Sequence, residues 1–349
     1  MTVLMVGVDE ITKGGMWTVV RNYLESKEFV KKTNLIYVPT STVGTVSHRL
    51  WFTFRNLIRI IGIFLYKKID ILHVHISEKG SVFRKNIVIC IGKFFGAKIV
   101  IHMHGAAFES WYRGCVGKKQ SKIRSILNKA DKILILGRYW NEFISMLVER
   151  GKIEILYNAV RVREVNEYNE RSNRILYLGV MTQRKGLNDI LTAVKEENCL
   201  PDGYQVVLYG PDFDYGIKEK LQRFHLEDKI EYKGYLNTGE KDEVFGNTAI
   251  NILPSYREGL PMTILETMAY GIPNITTDVA AIPEAVTDEN GILIKSGDIK
   301  GLAKAIYELC SNHQMRLEKS KKAYETIQEK FNLEKHMGQL LRIYSDLLS

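Results

Sequence analysis

Short apolar runs alternate with longer helical stretches along the first half of the chain. The runs VLMVGV (3–8), NLIYVP (34–39), DILHVHI (70–76), KIVIHMHG (98–105) and KILILG (132–137) are rich in Val, Ile and Leu and are bounded by glycine or charge. That is the pattern of strands buried on both faces of a parallel sheet. Helical stretches fill the intervals near 15–27, 49–67, 84–95, 118–129 and 138–150. The alternation then restarts with RILYLGV (174–180), YQVVLYG (204–210), KIEYKGY (229–235), AINILPS (249–255) and IPNITTD (272–278), with helices near 186–197, 214–225, 239–246 and 261–270. Strand–helix alternation predicts an α/β architecture with helices on both faces of each sheet. The polar stretch RVREVNEYNERSN (161–173) reads as the linker, and the tail from about 300 reads as three amphipathic helices. The predicted domains are therefore residues 1–160 and 161–325, with a last helix, 326–349, packing back toward the first domain. Ligands of such sheets bind at the carboxyl ends of strands, so the chemistry is expected in the loops that follow them.

Composition narrows the class. The chain has 349 residues, 45% hydrophobic and 26% charged, with 7 prolines, which fits globular cores and not disorder. Its four cysteines, Cys90, Cys115, Cys199 and Cys310, are far apart and form no metal-ligand spacing, so they read as reduced packing residues. The amino terminus enters a strand at once, without the profile of a secretion signal. The most membrane-like stretch, LWFTFRNLIRIIGIFLY (50–66), is interrupted by Arg55 and Arg59 and is too short to span alone.

Charge changes the picture further. Residues 1–165 carry 27 Lys and Arg against 12 Asp and Glu, a net of +15, whereas residues 166–349 carry 22 against 28, a net of −6. A basic first half is expected to meet something anionic. No helix-turn-helix, zinc or RNA-module signature accompanies the charge, so no nucleic-acid partner is expected. Residues 49–68 mix Arg49, Arg55, Arg59, Lys67 and Lys68 with Trp51, Phe52, Phe54 and Phe64. That mixture suits a helix lying in an anionic membrane interface, and equally a sheet-covering helix with a basic outer face. Arg84 and Lys85 are alternative holders of an anionic acceptor group.

Candidate chemistry concentrates in SYREGLPMTILETMAYGIP (255–273), which follows an apolar strand and opens a helix with Pro261 in its first turn. The N–H groups of Met262 and Thr263 then have no intrahelical acceptor and suit a diphosphate. Glu258 lies in the loop and Glu266 one to two turns into the helix. On spacing alone, ligand contacts by both are no better supported than a helix cap at Glu258 and a solvated carboxylate at Glu266. Arg184 and Lys185 form a cationic pair or a solvated turn. Gly14 and Gly15 form a close-approach loop or an ordinary strand–helix turn. GVDEITKGG is not a dinucleotide fingerprint, and there is no Walker A sequence.

EGLPMTILE resembles the Glu-x7-Glu signature of glycosyltransferase family 4, the retaining group 1 enzymes of GT-B fold that include those of bacterial surface polysaccharide assembly. YLGVMTQRKG (177–186), VVLYGP (206–211), YKGY (232–235) and ILYNAV (155–160) resemble the family's successive elements, as do TKGG (12–15), DILHVH (70–75) and IHMHG (101–105). The resemblance covers nearly the whole chain. It implies two Rossmann-like domains facing across a cleft, and a sugar moved from a nucleotide-diphosphate sugar, a UDP-sugar before a GDP-sugar, to a lipid-linked or oligosaccharide acceptor. It implies Glu258 on donor-sugar hydroxyls, Glu266 on ribose, Lys185 with Arg184 on the diphosphate, and His104 beside the donor sugar. Gly14, Gly15, Gly210, Leu260, Met262 and Thr263 fall at nucleotide-binding positions. His102, His73 and His75 read as buried strand histidines. No metal or cofactor is expected, and the expected place of work is the cytoplasmic face of the cell membrane. The chain departs from the family at Val180, where many relatives carry Arg, and at Ala280 and Ala281, where relatives often carry Gly-Gly. Those departures leave open a non-catalytic nucleotide-sugar-binding protein on the same scaffold, and a GT-B epimerase or phosphorylase stands behind it.

Overall fold

The computed structural model describes residues 1–12 and 14–349. Lys13, within TKGG, lies outside the described residues. The chain divides into two compact units, Met1–Asn158 with Leu333–Ser349, and Ala159–Asn332. The divisions fall at 158/159 and 332/333, against the 160/161 and 325/326 read from the sequence.

The first unit is built on β1 (Val3–Gly7), β2 (Ile36–Pro39), β3 (Ile71–Ile76), β4 (Lys98–Met103), β5 (Lys132–Ile135) and β6 (Ile153–Ile155). They pair in parallel in the order β2-β1-β3-β4-β5-β6. β1 and β3 are buried along their whole length, as their near-continuous apolar sequence requires. The sequence reading lacked β6: its three half-buried residues, IEI, form a polar-interrupted edge that carries no strand pattern of its own. It also lacked the short helices Lys27–Thr33 and Phe108–Arg113.

The helix Val46–Tyr66 buries Phe52, Asn56, Ile60 and Phe64, one stripe at i+4 spacing. Its other faces expose Leu50, Trp51, Phe54, Ile58 and Leu65, each more than half exposed, beside Arg55 and Arg59. The Arg55 guanidinium stacks over Trp51 at 5.0 Å. The sheet-covering reading thus holds: one stripe packs inward, and an apolar, basic surface is left outward. No described helix is long and apolar enough to cross a membrane.

The last helix, Leu333–Leu348, completes the first unit. It buries Leu333, Met337, Leu340, Ile343 and Tyr344, each worth roughly 1.5–3 kcal/mol of transfer free energy. Polar contacts fix its register. Tyr344 Oη meets His73 Nδ1 at 2.5 Å, Tyr23 Oη meets His336 Nε2 at 2.6 Å, and Gln339 donates to the Ile155 carbonyl at 2.8 Å.

The second unit holds β7 (Arg174–Leu178), β8 (Gln205–Tyr209), β9 (Ile230–Gly234), β10 (Ile250–Leu253), β11 (Asn274–Thr277) and β12 (Gly291–Ile294). All pairs are parallel, in the order β12-β11-β10-β7-β8-β9. β12, a four-residue edge, was also missing from the sequence reading. Residues 161–173 have no helix or strand, and Tyr168 pins them by donating to the Ala249 carbonyl.

Candidate active site

Connections in a doubly wound sheet leave a crevice where the strand order reverses, outside the strands' carboxyl ends. In the second unit that point lies between β7 and β10. The loop after β7 carries Arg184 and Lys185, and the loop after β10 carries Glu258. The two loops touch backbone to backbone. Gly186 adopts φ 76°, and a Cβ there would stand 2.0 Å from the Pro254 carbonyl oxygen. The Tyr256 N–H donates to the Arg184 carbonyl at 2.9 Å, and Arg184 Nη1 donates to the Arg257 carbonyl at 2.8 Å. Lys185 Nζ is ion-paired with Glu258 Oε1, with the two side chains 15% and 9% exposed. Glu258 therefore does not cap the following helix, and Lys185 is not a solvated turn residue.

Pro261 proves to be the N-cap rather than a residue of the first turn, with ψ 129°, and the helix runs Met262–Met268. At seven residues it has little macrodipole. What it offers an anion is the N–H groups of its first turn. The Thr263 hydroxyl is committed to the Leu178 carbonyl at 3.3 Å, while Leu260 and Met262 are buried. Glu266 is not a solvated carboxylate: Lys241 Nζ lies 2.8 Å from both its oxygens, and the pair is 21% and 14% exposed. Lys241, 25 residues upstream, was not singled out from the sequence, which offers no local signal for it. Gly210 has φ 142°, and a Cβ there would stand 1.8 Å from the Gly179 carbonyl oxygen. The strand-end packing of β7 and β8 by itself demands that glycine. At Ala280 the backbone has φ 49°, so the glycine conformation persists without the glycine.

In the first unit the order reverses between β1 and β3. Gly14, at φ 137° with open space where a Cβ would stand, precedes the helix Gly15–Glu25, of which Gly15 is the first residue. Lys85, almost wholly buried, donates from Nζ to the Gly7 carbonyl at the end of β1 at 2.9 Å. His104 follows β4 and is half-buried. Its Nε2 shares a 2.8 Å hydrogen bond with His75 Nδ1, while His102 Nδ1 and His73 Nε2 lie 3.3 Å apart deeper in the sheet. Burial first, then the repulsion that a second protonated imidazole nearby would meet, pushes His73 and His104 down to about 3. The same causes hold His75 and His102 well below the usual imidazole value. The network is therefore neutral at physiological pH. One nitrogen each from His73, His75 and His102 lies within 4.8 Å of the others, which makes them the group of described residues placed to hold a metal ion.

Two doubly wound six-stranded parallel sheets match the architecture of GT-B glycosyltransferase structures. Residues 160–326, nearly the whole second unit, match the model of the family Glycosyl transferases group 1. The chain is 23% identical to a 41.2 kDa uncharacterized protein of the cps region of Klebsiella pneumoniae, over 97% of this chain and 99% of that one. It is likewise 23% identical to the UDP-Gal:alpha-D-GlcNAc-diphosphoundecaprenol alpha-1,3-galactosyltransferase of Escherichia coli, over 84% and 80% of the two chains. A sucrose-phosphate synthase structure from Thermosynechococcus elongatus superposes with TM-score 0.82 at 16% identity, covering 100% of this chain and 99% of that one.

Proposed function

We propose that the protein transfers a sugar, with retention of anomeric configuration and without a metal ion, from a UDP-sugar to a lipid-linked saccharide in polysaccharide assembly, working at the cytoplasmic face of the cell membrane. The Lys185–Glu258 pair at the switch point carries this reading. In it, Glu266 takes the ribose hydroxyls, the first turn of Met262–Met268 and Arg184 take the diphosphate, and Glu258 takes hydroxyls of the donor sugar. The family resemblance assigns His104 to the donor sugar and Gly14 and Gly15 to the diphosphate; within the first unit His104 Nε2 is held by His75.

The reaction breaks the bond from the anomeric carbon to the diphosphate oxygen and forms one to the acceptor oxygen on the same face. The departing diphosphate takes the acceptor's proton. Lys185 and Arg184 stabilise the negative charge that develops on the leaving group, and stabilisation of this kind is the main contribution such a site makes to the rate. A double displacement would need a carboxylate beneath the anomeric carbon. Glu258 is tied to Lys185 instead. The named donor and acceptor of the Escherichia coli relative support the choice of UDP and of a lipid-linked acceptor.

UDP at a hundred times its Kd is expected to stabilise the protein by about 2.7 kcal/mol in a thermal-shift assay. GDP should do less, and Glu266→Gln should weaken the UDP effect. A melting temperature indifferent to every nucleoside diphosphate would remove the reading. The exposed apolar and basic face of Val46–Tyr66 supports attachment to an anionic membrane. In flotation, the protein should rise with phosphatidylglycerol vesicles and not with phosphatidylcholine alone, and Arg55→Glu with Arg59→Glu should abolish the difference. Equal flotation with both lipids would count against the attachment.

A further inference from the structure

We infer that the corner of the first unit between β3 and the helix Gly80–Phe94 binds a glycosyl diphosphate, with Arg84 on the diphosphate and Glu78 on a sugar hydroxyl. This deepens the proposed function, on which it rests for the acceptor being a saccharide. Three observations carry it. Glu78 Oε2 is buried without a hydrogen-bond partner, and so is Arg84 Nε. Buried polar atoms cost about 1–3 kcal/mol each when left unsatisfied, so two on one short segment call for a ligand. Glu78 and Arg84 do not pair with each other, and each faces different neighbours. Glu78 lies against Gly105, where an added Cβ would stand 2.4 Å from Oε2. Arg84 instead shares its surroundings with a like charge, since burial and the Arg49 guanidinium together hold its pKa below the usual value. Neither arginine has an ion-pair partner among the described residues.

A half-buried guanidinium with an unpartnered Nε and no acid paired to it suits an anion. Arginine forks suit phosphoryl oxygens in particular. Arg49 lies in the first turn of the helix whose outer face exposes Leu50, Trp51 and Phe54. Gly105 has to stay glycine, because any side chain would displace Glu78.

Isothermal titration of the full chain with N-acetylglucosaminyl diphosphoundecane tests the assignment, with undecyl glucoside as the uncharged comparison. Wild type should bind the diphosphate at least about 10-fold more tightly than the glucoside. Arg84→Gln should lose about 10–100-fold of that affinity, and Arg84→Lys should restore part of it. Glu78→Gln should weaken the glycosyl diphosphate but not undecyl diphosphate, which has no sugar. Melting curves of the variants report folding. Equal affinity for charged and uncharged probes, or indifference to Arg84→Gln in a folded protein, overturns the inference. So does a parallel loss of phosphatidylglycerol flotation, which would assign the arginines to lipid headgroups. If UDP stabilises wild type while the probe fails to bind, this inference alone falls. If UDP also fails, the proposed function falls with it.

Discussion

Lys185→Ala is expected to lower kcat for sugar transfer by about 10²–10³-fold, the loss seen when one preorganised donor to a developing oxyanion is removed. The same substitution leaves Glu258, 9% exposed, without its cation. An uncompensated buried carboxylate costs about 3–5 kcal/mol, so the variant should also melt early. The two effects separate in a double variant. Adding Glu258→Gln to Lys185→Ala replaces the orphaned charge with a neutral amide and should recover most of the lost stability, whereas transfer should not recover. Steady-state kinetics and thermal melts on wild type, both single variants and the double variant measure both couplings. A kcat within about threefold of wild type for Lys185→Ala would show that the lysine serves only to hold the loop.

Gly186→Ala is the second large expectation. The residue sits at φ 76°, which alone costs an alanine about 1 kcal/mol, and the new Cβ would lie 2.0 Å from the Pro254 carbonyl oxygen. The neighbour is backbone, so relief requires the β7 and β10 loops to part. A destabilisation of about 3 kcal/mol or more is expected, with loss of transfer, because Lys185 and Glu258 ride on those two loops. Gly14 makes the contrast: its φ is 137°, but the space beyond is open. There Gly→Ala should cost only the backbone strain. Denaturant melts of both variants decide it, and a Gly186→Ala protein as stable as the Gly14→Ala protein would mean that the loops part without resistance.

The division between sequence and tertiary structure follows from the range of the interactions. Strand and helix alternation is a local property, fixed by burial on both faces of β1, β3 and their counterparts, and it was legible at once. So was the EGLP loop, because a strand end, a proline and two glutamates fall within one short segment. β6 and β12 were not legible: strands of three and four residues at sheet edges bury too little to impose a pattern. The cap, solvated-carboxylate and solvated-turn alternatives at Glu258, Glu266 and Lys185 were excluded by partners distant in the chain. Lys185 and Glu258 are 73 residues apart, and Lys241 and Glu266 are 25 apart.

The sequence by itself determined the α/β class, the restart of the pattern at residue 174 and the loop that carries Glu258, since each rests on residues within a few turns of one another. Only the tertiary structure decided which charges are paired, that Gly210 is required by the Gly179 carbonyl, and that the last helix locks onto the first unit through Tyr344 against His73 of β3 and His336 against Tyr23 of the helix Gly15–Glu25. Those facts depend on which strands become neighbours, and strand order is set by packing of whole crossover units rather than by any local run of residues.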